Sequence, residues 1–477
     1  MSEHQTIVSS EKSQLRRVMG FWDVLLFCIV TVLGPRWIAA AAHSGQSSIS
    51  LWILAAVLFF VPTAYVIVEL STRFPEEGGL YVWTKEAFGD FHGFVAGWTY
   101  WVYTIFYFPG LLLASTAMSA YVGGFGYAWL AENRTFLLAG SLLMLAVAVW
   151  LNIIGLHIGK WLQNAGGVGT YVPLMMLVAV AVVLGWRHGS VTHFTRAGMW
   201  PHWDWDTVNF WPQLAFAFTG LELVSTMSEE VKDPQRTFPR AIFASGAMIA
   251  SIYIAGTVAV LVILPSETVD TKSGVFQALA QGSSLLRMAS VGVIAALLMT
   301  VGNTGGVGST VAGVSRIPFI VGIDRYLPAA FGKIHPKWRT PYISILVQAG
   351  ISGLVLLLAQ INENMRSAYQ ILVDAATILY FIPFIYMYAA AIKLYARADR
   401  RENRAAVVIP AGRLGVLITG GLGLLVVTAA IVLSFVPPGD TSSKFLFETK
   451  LVAGTVLSVA FGLILYYRGA RQRRRAH

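Results

Sequence analysis

Two strongly apolar segments of this chain each carry a charged residue beside residues that break helices. In the first, Arg36 follows Gly34 and Pro35; in the second, Glu222 lies two residues after Gly220. A guanidinium group can hold a carboxylate through two parallel hydrogen bonds, and a carboxylate can hold an ammonium group. A helix interrupted within a membrane exposes backbone N–H and C=O groups, which are tolerated only where they line a protected cavity. The two breaks therefore predict a mid-membrane binding site for a small polar molecule.

The composition is that of a membrane protein with many spans. Of the 477 residues, 56% are hydrophobic and 12% are charged, with a mean hydropathy of +0.65, whereas soluble domains average about 25% charged residues. Since about 20 apolar residues cross a bilayer, we predict twelve spans, at about 20–43, 50–71, 91–122, 136–155, 165–186, 208–230, 237–264, 286–318, 341–359, 367–391, 412–436 and 446–467. Little chain remains for a soluble catalytic domain.

The distribution of lysine and arginine predicts the orientation. With twelve spans and a cytoplasmic N-terminus, most of the 34 basic residues fall in cytoplasmic segments, as the positive-inside rule requires. We therefore expect a multi-pass protein of the plasma membrane with both termini in the cytoplasm. The basic tail at Arg471, Arg473, Arg474 and Arg475 directly follows a span. We assign it to the anionic surface of the lipid bilayer rather than to nucleic acid.

Signals of an enzyme or of a bound cofactor are missing from the sequence. The glycine-rich stretch from Gly302 to Thr310 has no lysine for a phosphate group, no H-E-x-x-H motif occurs, and the nine histidines follow no metal-ligand pattern. Cys28 is the only cysteine, so no intrachain disulfide can form. We expect no catalytic residues, no cofactor and no metal site.

Two motifs carry a resemblance to a known family. The first, from Arg73 to Trp83, reads R-F-P-E-E-G-G-L-Y-V-W. The second joins F-A-F-T-G-L-E at residues 216–222 to E-E-V-K-D-P-Q-R-T-F-P-R-A-I at residues 229–242. Together they resemble the amino acid–polyamine–organocation (APC) superfamily, amino acid transporter type, whose members share R-x-P-x-x-G-G-x-Y and F-A-F-x-G-x-E followed by E-x-x-x-P-x-R-x-x-P. The resemblance covers helices 1 to 10 and, less clearly, the last two.

The resemblance implies an all-α polytopic fold with twelve transmembrane helices. Helices 1 and 6 would be broken, within a five-helix inverted repeat of the leucine-transporter type. The chain would then divide into a cytoplasmic N-terminal segment (1–19), the first repeat (20–186), an outer linker (187–207), the second, inverted repeat (208–391), a cytoplasmic basic loop (392–411), helices 11 and 12 (412–467) and a basic cytoplasmic tail (468–477). No residue-by-residue identity links the two repeats.

In relatives, the helix 1 break binds a substrate carboxylate and the helix 6 break receives the amino group. Half-helix ends suit these roles, because an N-terminus presents unpaired N–H groups and a C-terminus presents carbonyl groups. Phe216 stands where relatives place an aromatic gate, and Tyr107 shares a helix face with Tyr103 that serves either substrate or packing. The predicted substrate-binding residues are Leu33, Gly34, Pro35, Arg36, Trp37, Phe216, Phe218, Thr219, Gly220, Glu222 and Tyr107.

The chain departs from the family at helix 1, where relatives commonly have G-S-G-I or G-A-G-I and this chain has G-P-R-W. Pro35 removes one N–H donor. Arg36 either grips a substrate carboxylate, which would favour an anionic substrate, or pairs with Glu222 or Asp374 to balance charge. An arginine inside a membrane is a functional candidate by default.

A second departure concerns coupling to an ion. Thr170 stands where many relatives carry a lysine in helix 5, so a fixed cation is excluded there. Glu222 and Asp374 are candidate proton carriers, and Ser309 and Thr310 are candidate sodium ligands. The sequence leaves this choice between H+ and Na+ open.

Three more residues are gate or site candidates. Asn303 either faces the site or belongs to a glycine-rich packing surface. Arg73 pairs with Glu229 or Glu230 as a cytoplasmic gate, or the three residues are a solvated surface group.

We therefore predict a secondary active transporter that moves amino acids by alternating access. One alternative is a polyamine or other organocation carrier, which should need more carboxylates in its cavity than Glu222 and Asp374 supply. The other is a transporter-like nutrient sensor, which should carry a longer partner-binding tail. In each case the partner is a small amino acid or amine, and none of these proteins is an enzyme.

Overall fold

The computed structural model describes residues 17–201, 205–271, 273–359, 365–397, 409–436 and 444–475. Parts of six predicted regions lie outside these residues: the N-terminal segment, the outer linker, the second repeat, the basic loop after helix 10, the region of helices 11 and 12, and the basic tail. The helices are numbered in chain order, with the two halves of an interrupted helix given one number.

Regular structure in the described ranges is helical. Helix 1 has two halves, Phe21–Val32 and Pro35–His43, and helix 6 has Trp205–Ala217 and the 3-10 segment Leu221–Glu230. The others are helix 2 (Ser47–Arg73), 3 (Asp90–Ser119), 4 (Arg134–Ile154), 5 (Leu156–His188), 7 (Pro234–Ile263), 8 (Ala289–Ile323), 9 (Tyr342–Ala359), 10 (Met365–Arg397), 11 (Gly412–Ser434) and 12 (Lys444–Arg475). Two short helices, Leu80–Phe88 and Gly274–Leu285, lie between the long ones.

Ten of the described helices are long and apolar enough to cross a membrane. Helix 9 contains a shorter apolar stretch, Tyr342–Leu358, and helix 6 is not among the ten. The all-α membrane fold is thus present, while the count of twelve spans and the inverted repeat stay predictions. Helix 10 extends past the predicted start of the basic loop at residue 392, to Arg397.

Helix 1 lies at the centre of the molecule and helix 12 at its edge. In the most apolar window of each helix, 78% of the residues are buried in helix 1 and 17% in helix 12. A helix that is apolar on all sides is a buried helix or a membrane span. Helix 1, with its break, is therefore surrounded by protein.

Glycines let helix 5 and helix 8 approach closely. A Cβ atom at Gly305 would lie 2.5 Å from the Cα of Gly166, and one at Gly302 would lie 2.9 Å from the carbonyl carbon of Gly169. Small residues at such positions let membrane helices pack backbone against backbone. This contact fixes helix 8 beside the break of helix 1, because a Cβ at Gly166 would also meet Val30 at 3.0 Å.

The loop of the first motif packs against the second motif. Gly79 has a φ of +46°, and a Cβ there would lie 2.4 Å from the Ser225 hydroxyl. The Gly78 amide donates to the Thr226 carbonyl at 3.3 Å. Only glycine combines that backbone conformation with so close an approach. The loop after helix 2 is thus in direct contact with the second half of helix 6, between the two parts of the second motif.

The segment before helix 1 is tied to the end of helix 6. The amides of Val18 and Met19 donate to the Glu230 carbonyl at 2.9 and 3.0 Å, and the Lys232 amide donates to the Met19 carbonyl at 2.8 Å. On the same side, Lys160 of helix 5 contacts Asp23 at 3.2 Å. The base of helix 1 therefore moves only if these contacts break.

Candidate functional site at the two helix breaks

Helix 1 is interrupted at Leu33 and Gly34, which are both extended, with ψ angles of 109° and 115°. Pro35 begins the second half of helix 1, a position where the missing N–H would have no helical partner. A Cβ on Gly34 would lie 2.7 Å from the indole ring of Trp37. Glycine is required here because that ring covers the break.

Helix 6 is interrupted at residues 218–220, as the sequence predicts. Gly220 has a φ of +117°, and a Cβ there would lie 2.9 Å from the Thr31 carbonyl oxygen of helix 1. The Thr31 hydroxyl also donates to the Gly220 carbonyl at 3.3 Å. The two breaks are therefore in direct contact.

Tyr253 of helix 7 joins the two breaks through one hydroxyl group. It accepts a hydrogen bond from the Gly34 amide at 3.1 Å, and lies 2.7 Å from the Val32 carbonyl and 3.0 Å from the Ala217 carbonyl. Buried backbone groups released from a helix need such partners. The ring stacks on Trp52, 4.4 Å between centroids, which fixes the hydroxyl in place.

Glu222 is fully buried behind the helix 6 break, and tyrosines bind it. Tyr100 donates to its carboxylate at 2.8 Å, Tyr380 donates to the same oxygen, and the Gly220 amide donates to the other oxygen at 3.0 Å. These three donors are neutral groups. The pairing of Arg36 with Glu222 or Asp374 stays a prediction.

Arg36 lines a cavity at the helix 1 break. Its guanidinium carbon lies 4.3 Å from the centroid of the Trp37 ring and 5.2 Å from that of Tyr107, an arrangement of cation–π contacts. The cavity also contacts the predicted residues Leu33, Gly34, Pro35, Thr170, Asn303 and Thr310. The structure thus brings the charged and aromatic candidates of helices 1 and 3 to one space.

Phe216 lines a second cavity that reaches Thr219 and Gly220, and Trp37 and Tyr107 line both cavities. Its ring lies 5.8 Å from that of Trp37, 5.9 Å from Tyr107 and 5.2 Å from Tyr380. Such a group of rings can close over a small molecule or turn aside by a rotamer change. This position fits the predicted gate.

Phe218 does not reach either cavity. Its fully buried ring packs on the other side of helix 6, 4.5 Å from Phe60 and 5.1 Å from Trp52. The prediction of a substrate contact rested on its place in the motif. The break at residues 218–220 turns the backbone, so that Phe216 and Phe218 face different neighbours.

The coupling candidates have different surroundings. The Thr170 hydroxyl donates to the Gly166 carbonyl at 2.9 Å, and a Cβ on Gly302 would lie 2.6 Å from it. A longer side chain at this position would push helix 8 away. Asn303 donates to the sulfur of Met118 at 3.4 Å while facing the cavity. Asp374 of helix 10 is buried. Its neighbours in sequence, Val373 and Ala376, line a small cavity together with Arg36.

The residues predicted to form a cytoplasmic gate have partners that the sequence did not indicate. Arg73 pairs with Glu69, one helical turn earlier, at 2.5 Å. Glu230 binds Arg316 of helix 8, which sequence reasoning missed, and the Glu229 amide donates to Glu77 at 3.1 Å. The sequence signal was available, since Arg316 is a charge inside an apolar helix of 35 residues.

Three tyrosines of the site were also missed. Tyr100 lies three residues before Tyr103 on one face of helix 3, so this row was visible in the sequence. Tyr253 is the single tyrosine of helix 7, and Tyr380 is one of five tyrosines in helix 10. No pattern distinguishes such tyrosines from ordinary packing residues.

The sequence is similar to those of several known transporters. The sequence is 28% identical over 448 residues to an uncharacterized transporter of Legionella pneumophila, covering 93% of this chain and 95% of that protein. It is 26% identical to a serine/threonine exchanger of Bacillus subtilis, covering 83% and 87%, and 22% identical to a probable agmatine/putrescine antiporter of Lactococcus lactis, covering 94% of each.

These relatives are transporters, as the resemblance implied. The family model described as amino acid permease matches residues 19–458, which include both motifs and both helix breaks. The chain therefore belongs to the amino acid permease family, within the APC transporters.

Proposed function

We propose that this protein is a secondary transporter that moves an α-amino acid across the plasma membrane by alternating access. The observation that carries the proposal is the contact between the two helix breaks, beside a cavity lined by Arg36 and aromatic rings. A mid-membrane site built on discontinuous helices is the arrangement that secondary transporters use. The substrate would lie between residues 33–37 and Phe216, with Tyr107 as a wall.

Arg36 would bind the substrate carboxylate. In other proteins with a broken helix the backbone supplies these donors, but the Gly34 amide is bonded to Tyr253, Pro35 has no N–H, and the Trp37 amide donates back to Gly34 at 3.0 Å. The guanidinium group supplies a planar fork of donors instead. The alternative, in which Asp374 balances Arg36, predicts weaker dependence on a substrate carboxylate.

The amino group would be bound at the helix 6 break. Thr219 and Gly220 line the second cavity, where the turn removes carbonyl groups from the regular helical ladder. Glu222 would hold the break in shape through its tyrosines and the Gly220 amide rather than touch the ammonium group.

A polyamine is the second candidate substrate, because one relative is named an agmatine/putrescine antiporter and another, from Escherichia coli, a low-affinity putrescine importer. A diamine carries two positive charges and no carboxylate. Arg36 in the cavity would repel it by Coulomb interaction at short range. This favours an amino acid.

The energy source would be exchange of substrates or a gradient of H+ or Na+, with both termini in the cytoplasm. The test is counterflow in proteoliposomes loaded with unlabelled glutamate, leucine, serine, arginine or putrescine in turn. We expect saturable accumulation of label with an amino acid and none with putrescine. Counterflow with putrescine alone would make the protein an amine carrier, and ligand binding without counterflow would make it a sensor.

A further inference from the structure

Three charged side chains meet in the protein interior away from the substrate cavities. They are Glu77 of the loop after helix 2, Glu230 at the end of helix 6 and Arg316 of helix 8, and each is at least 97% buried. Arg316 lies six residues beyond Thr310 of the cavity wall, about 9 Å along the helix axis at 1.5 Å per residue. We call these three residues the inner charge cluster.

Arg316, the cation of the inner charge cluster, forms its hydrogen-bonded ion pair with Glu230. Arg316 binds Glu230 with two nitrogens, Nε to Oε2 at 3.0 Å and Nη2 to Oε1 at 3.1 Å. Its third nitrogen, Nη1, donates to the Ala312 carbonyl at 2.5 Å. A bidentate arginine–carboxylate pair of this kind neutralises both partners.

Glu77 is then left with only a longer contact to the same cation. One of its oxygens, Oε2, accepts the Glu229 amide at 3.1 Å. The other, Oε1, is buried without a hydrogen bond and lies 3.7 Å from the Arg316 Nε atom, beyond hydrogen-bond distance. An ionised carboxylate buried without a full partner is strongly disfavoured, and such a group takes up a proton instead.

We propose that Glu77 is a proton-binding site, and that its proton holds the loop after helix 2 against helices 6 and 8. The titratable and charged side chains that face it are Glu229 and Glu230 from helix 6 and Arg316 from helix 8. Burial raises the pKa of Glu77 well above its ordinary value, and the neighbouring Glu230 raises this pKa further, against the opposing charge of Arg316.

Protonation of Glu77 can affect the movement of helix 1, because Glu230 also anchors the base of that helix. Its carbonyl accepts the amides of Val18 and Met19, so one residue contacts Arg316 through its side chain and the base of helix 1 through its backbone. If this side opens and water reaches Glu77, its pKa falls and the proton leaves to that side. A low pH there would keep it closed.

Each pH unit by which the solution lies below the pKa of the closed form would disfavour the open form tenfold. The cluster would thus sense the pH of the compartment that borders the loop at residues 74–79. That this compartment is the cytoplasm rests on the proposed function, but the proton site itself does not.

The first test is infrared spectroscopy of the purified full chain. The band of a protonated carboxyl group is recorded at about pH 6, more than one unit above the ordinary glutamate pKa of about 4.3, for the wild type, Glu77→Gln and Glu76→Gln. Glu76 is the exposed neighbour and the matched control. We expect Glu77→Gln to lose intensity in this band and Glu76→Gln to keep it. If Glu77→Gln instead loses intensity in the ionised carboxylate band, the proposal is wrong.

A second variant tests the coupling between the carboxylates. Glu230→Gln removes one negative charge, so Arg316 becomes available to Glu77, and the titration midpoint of the Glu77 band should fall by one pH unit or more. An unchanged midpoint would show that the charge of Glu230 does not affect the pKa of Glu77, which would contradict the proposed coupling.

The third test is thermal unfolding against pH. A carboxyl group whose pKa is raised by folding stabilises the folded state at low pH, and this stabilisation is lost as the pH rises through the folded pKa. The melting temperature of Glu77→Gln minus that of the wild type should therefore increase with pH, while Glu76→Gln follows the wild type. A difference that does not change with pH would overturn the proposal without touching the transport function.

Discussion

The hydroxyl group of Tyr253 accepts the Gly34 amide at 3.1 Å, and so a helix 7 side chain completes the backbone of helix 1 at its break. The same hydroxyl group lies within hydrogen-bond distance of a carbonyl group from each of the two broken helices, at 2.7 and 3.0 Å. Neither carbonyl can be satisfied by lipid. One side chain therefore bridges the two breaks.

Removal of that hydroxyl group tests its role directly. We expect Tyr253→Phe to lower the free energy of unfolding by about 1–3 kcal/mol, because buried polar backbone groups lose their partner, and to lower transport as well. Thermal unfolding and counterflow measure the two effects. Tyr388→Phe is the control, since Tyr388 bonds to Thr63 away from the breaks. It should lose stability and keep transport, and an equal loss of transport in both variants would contradict the assignment.

Arg36 predicts a specific change in substrate affinity. For the amino acid that the counterflow screen identifies, Arg36→Ala should raise KM by roughly ten- to hundredfold, because a hydrogen bond to a charged group contributes about 1.5–3 kcal/mol. Arg36→Lys should recover only part of this, since a lysine keeps the charge but loses the fork. Kinetics of uptake under initial-rate conditions provide the measurement.

The control for this prediction is Arg187→Ala, at the exposed end of helix 5. It should leave KM unchanged. Should Arg36→Ala and Arg187→Ala behave alike, the carboxylate does not bind at residue 36.

Glu222 and Tyr100 should be energetically coupled. We expect Tyr100→Phe alone to lower the free energy of unfolding by about 1.5–3 kcal/mol, because it removes a hydrogen bond to a charged group. In the double variant with Glu222→Gln, the loss of unfolding free energy should differ from the sum of the losses in the two single variants by about 0.5–3 kcal/mol. A double-mutant cycle in detergent measures this.

Tyr103→Phe is the matched control for that cycle. Among the described residues its hydroxyl makes no hydrogen bond, although its ring packs at 4.4 Å on Tyr380. Its combination with Glu222→Gln should be additive. Equal coupling for Tyr100 and Tyr103 would mean that ring packing, not the hydrogen bond, links the residues.

The contact of helix 5 with helix 8 should not tolerate a methyl group. Gly305→Ala places a Cβ 2.5 Å from the Gly166 Cα atom, so we expect a loss of about 1–3 kcal/mol of stability through overpacking. Gly421→Ala of helix 11 has open space around its Cβ and should be neutral or stabilising by up to about 1 kcal/mol. If both variants changed the melting temperature by the same amount, helices 5 and 8 would be able to move apart at no cost in stability, and the prediction would be wrong.

Much of this architecture was predictable because membrane spans and helix breaks have strong local signals. Long apolar runs locate the helices, and Gly34-Pro35 and Thr219-Gly220 locate the interruptions. The motif at residues 73–83 identified the family, which the family model confirmed.

The rest depends on distances between helices, which no local pattern encodes. The pairing of Glu230 with Arg316 joins residues 86 positions apart, and Arg316 has no neighbour in sequence that announces a partner. The same holds for Phe218, whose motif position matched the site although its ring faces helix 2. Sequence position gave the candidates, and the turn at Gly220 decided which of them reach the cavity.

The interruption of helix 1 makes it two separately anchored rods. The first rod, Phe21–Val32, is held at Asp23 by Lys160 and Asn164. The second rod, Pro35–His43, is held at its far end by His43, which bonds to the Val269 carbonyl at 2.9 Å. The Gly34 amide donates to the Tyr253 side chain and Pro35 has no N–H group, so neither residue makes a helical hydrogen bond across the break. Either rod can therefore tilt without unwinding a turn of the other. Tilting of either rod would then break the anchor at its end, and Tyr253, which bonds to Val32 and Gly34, would be the pivot.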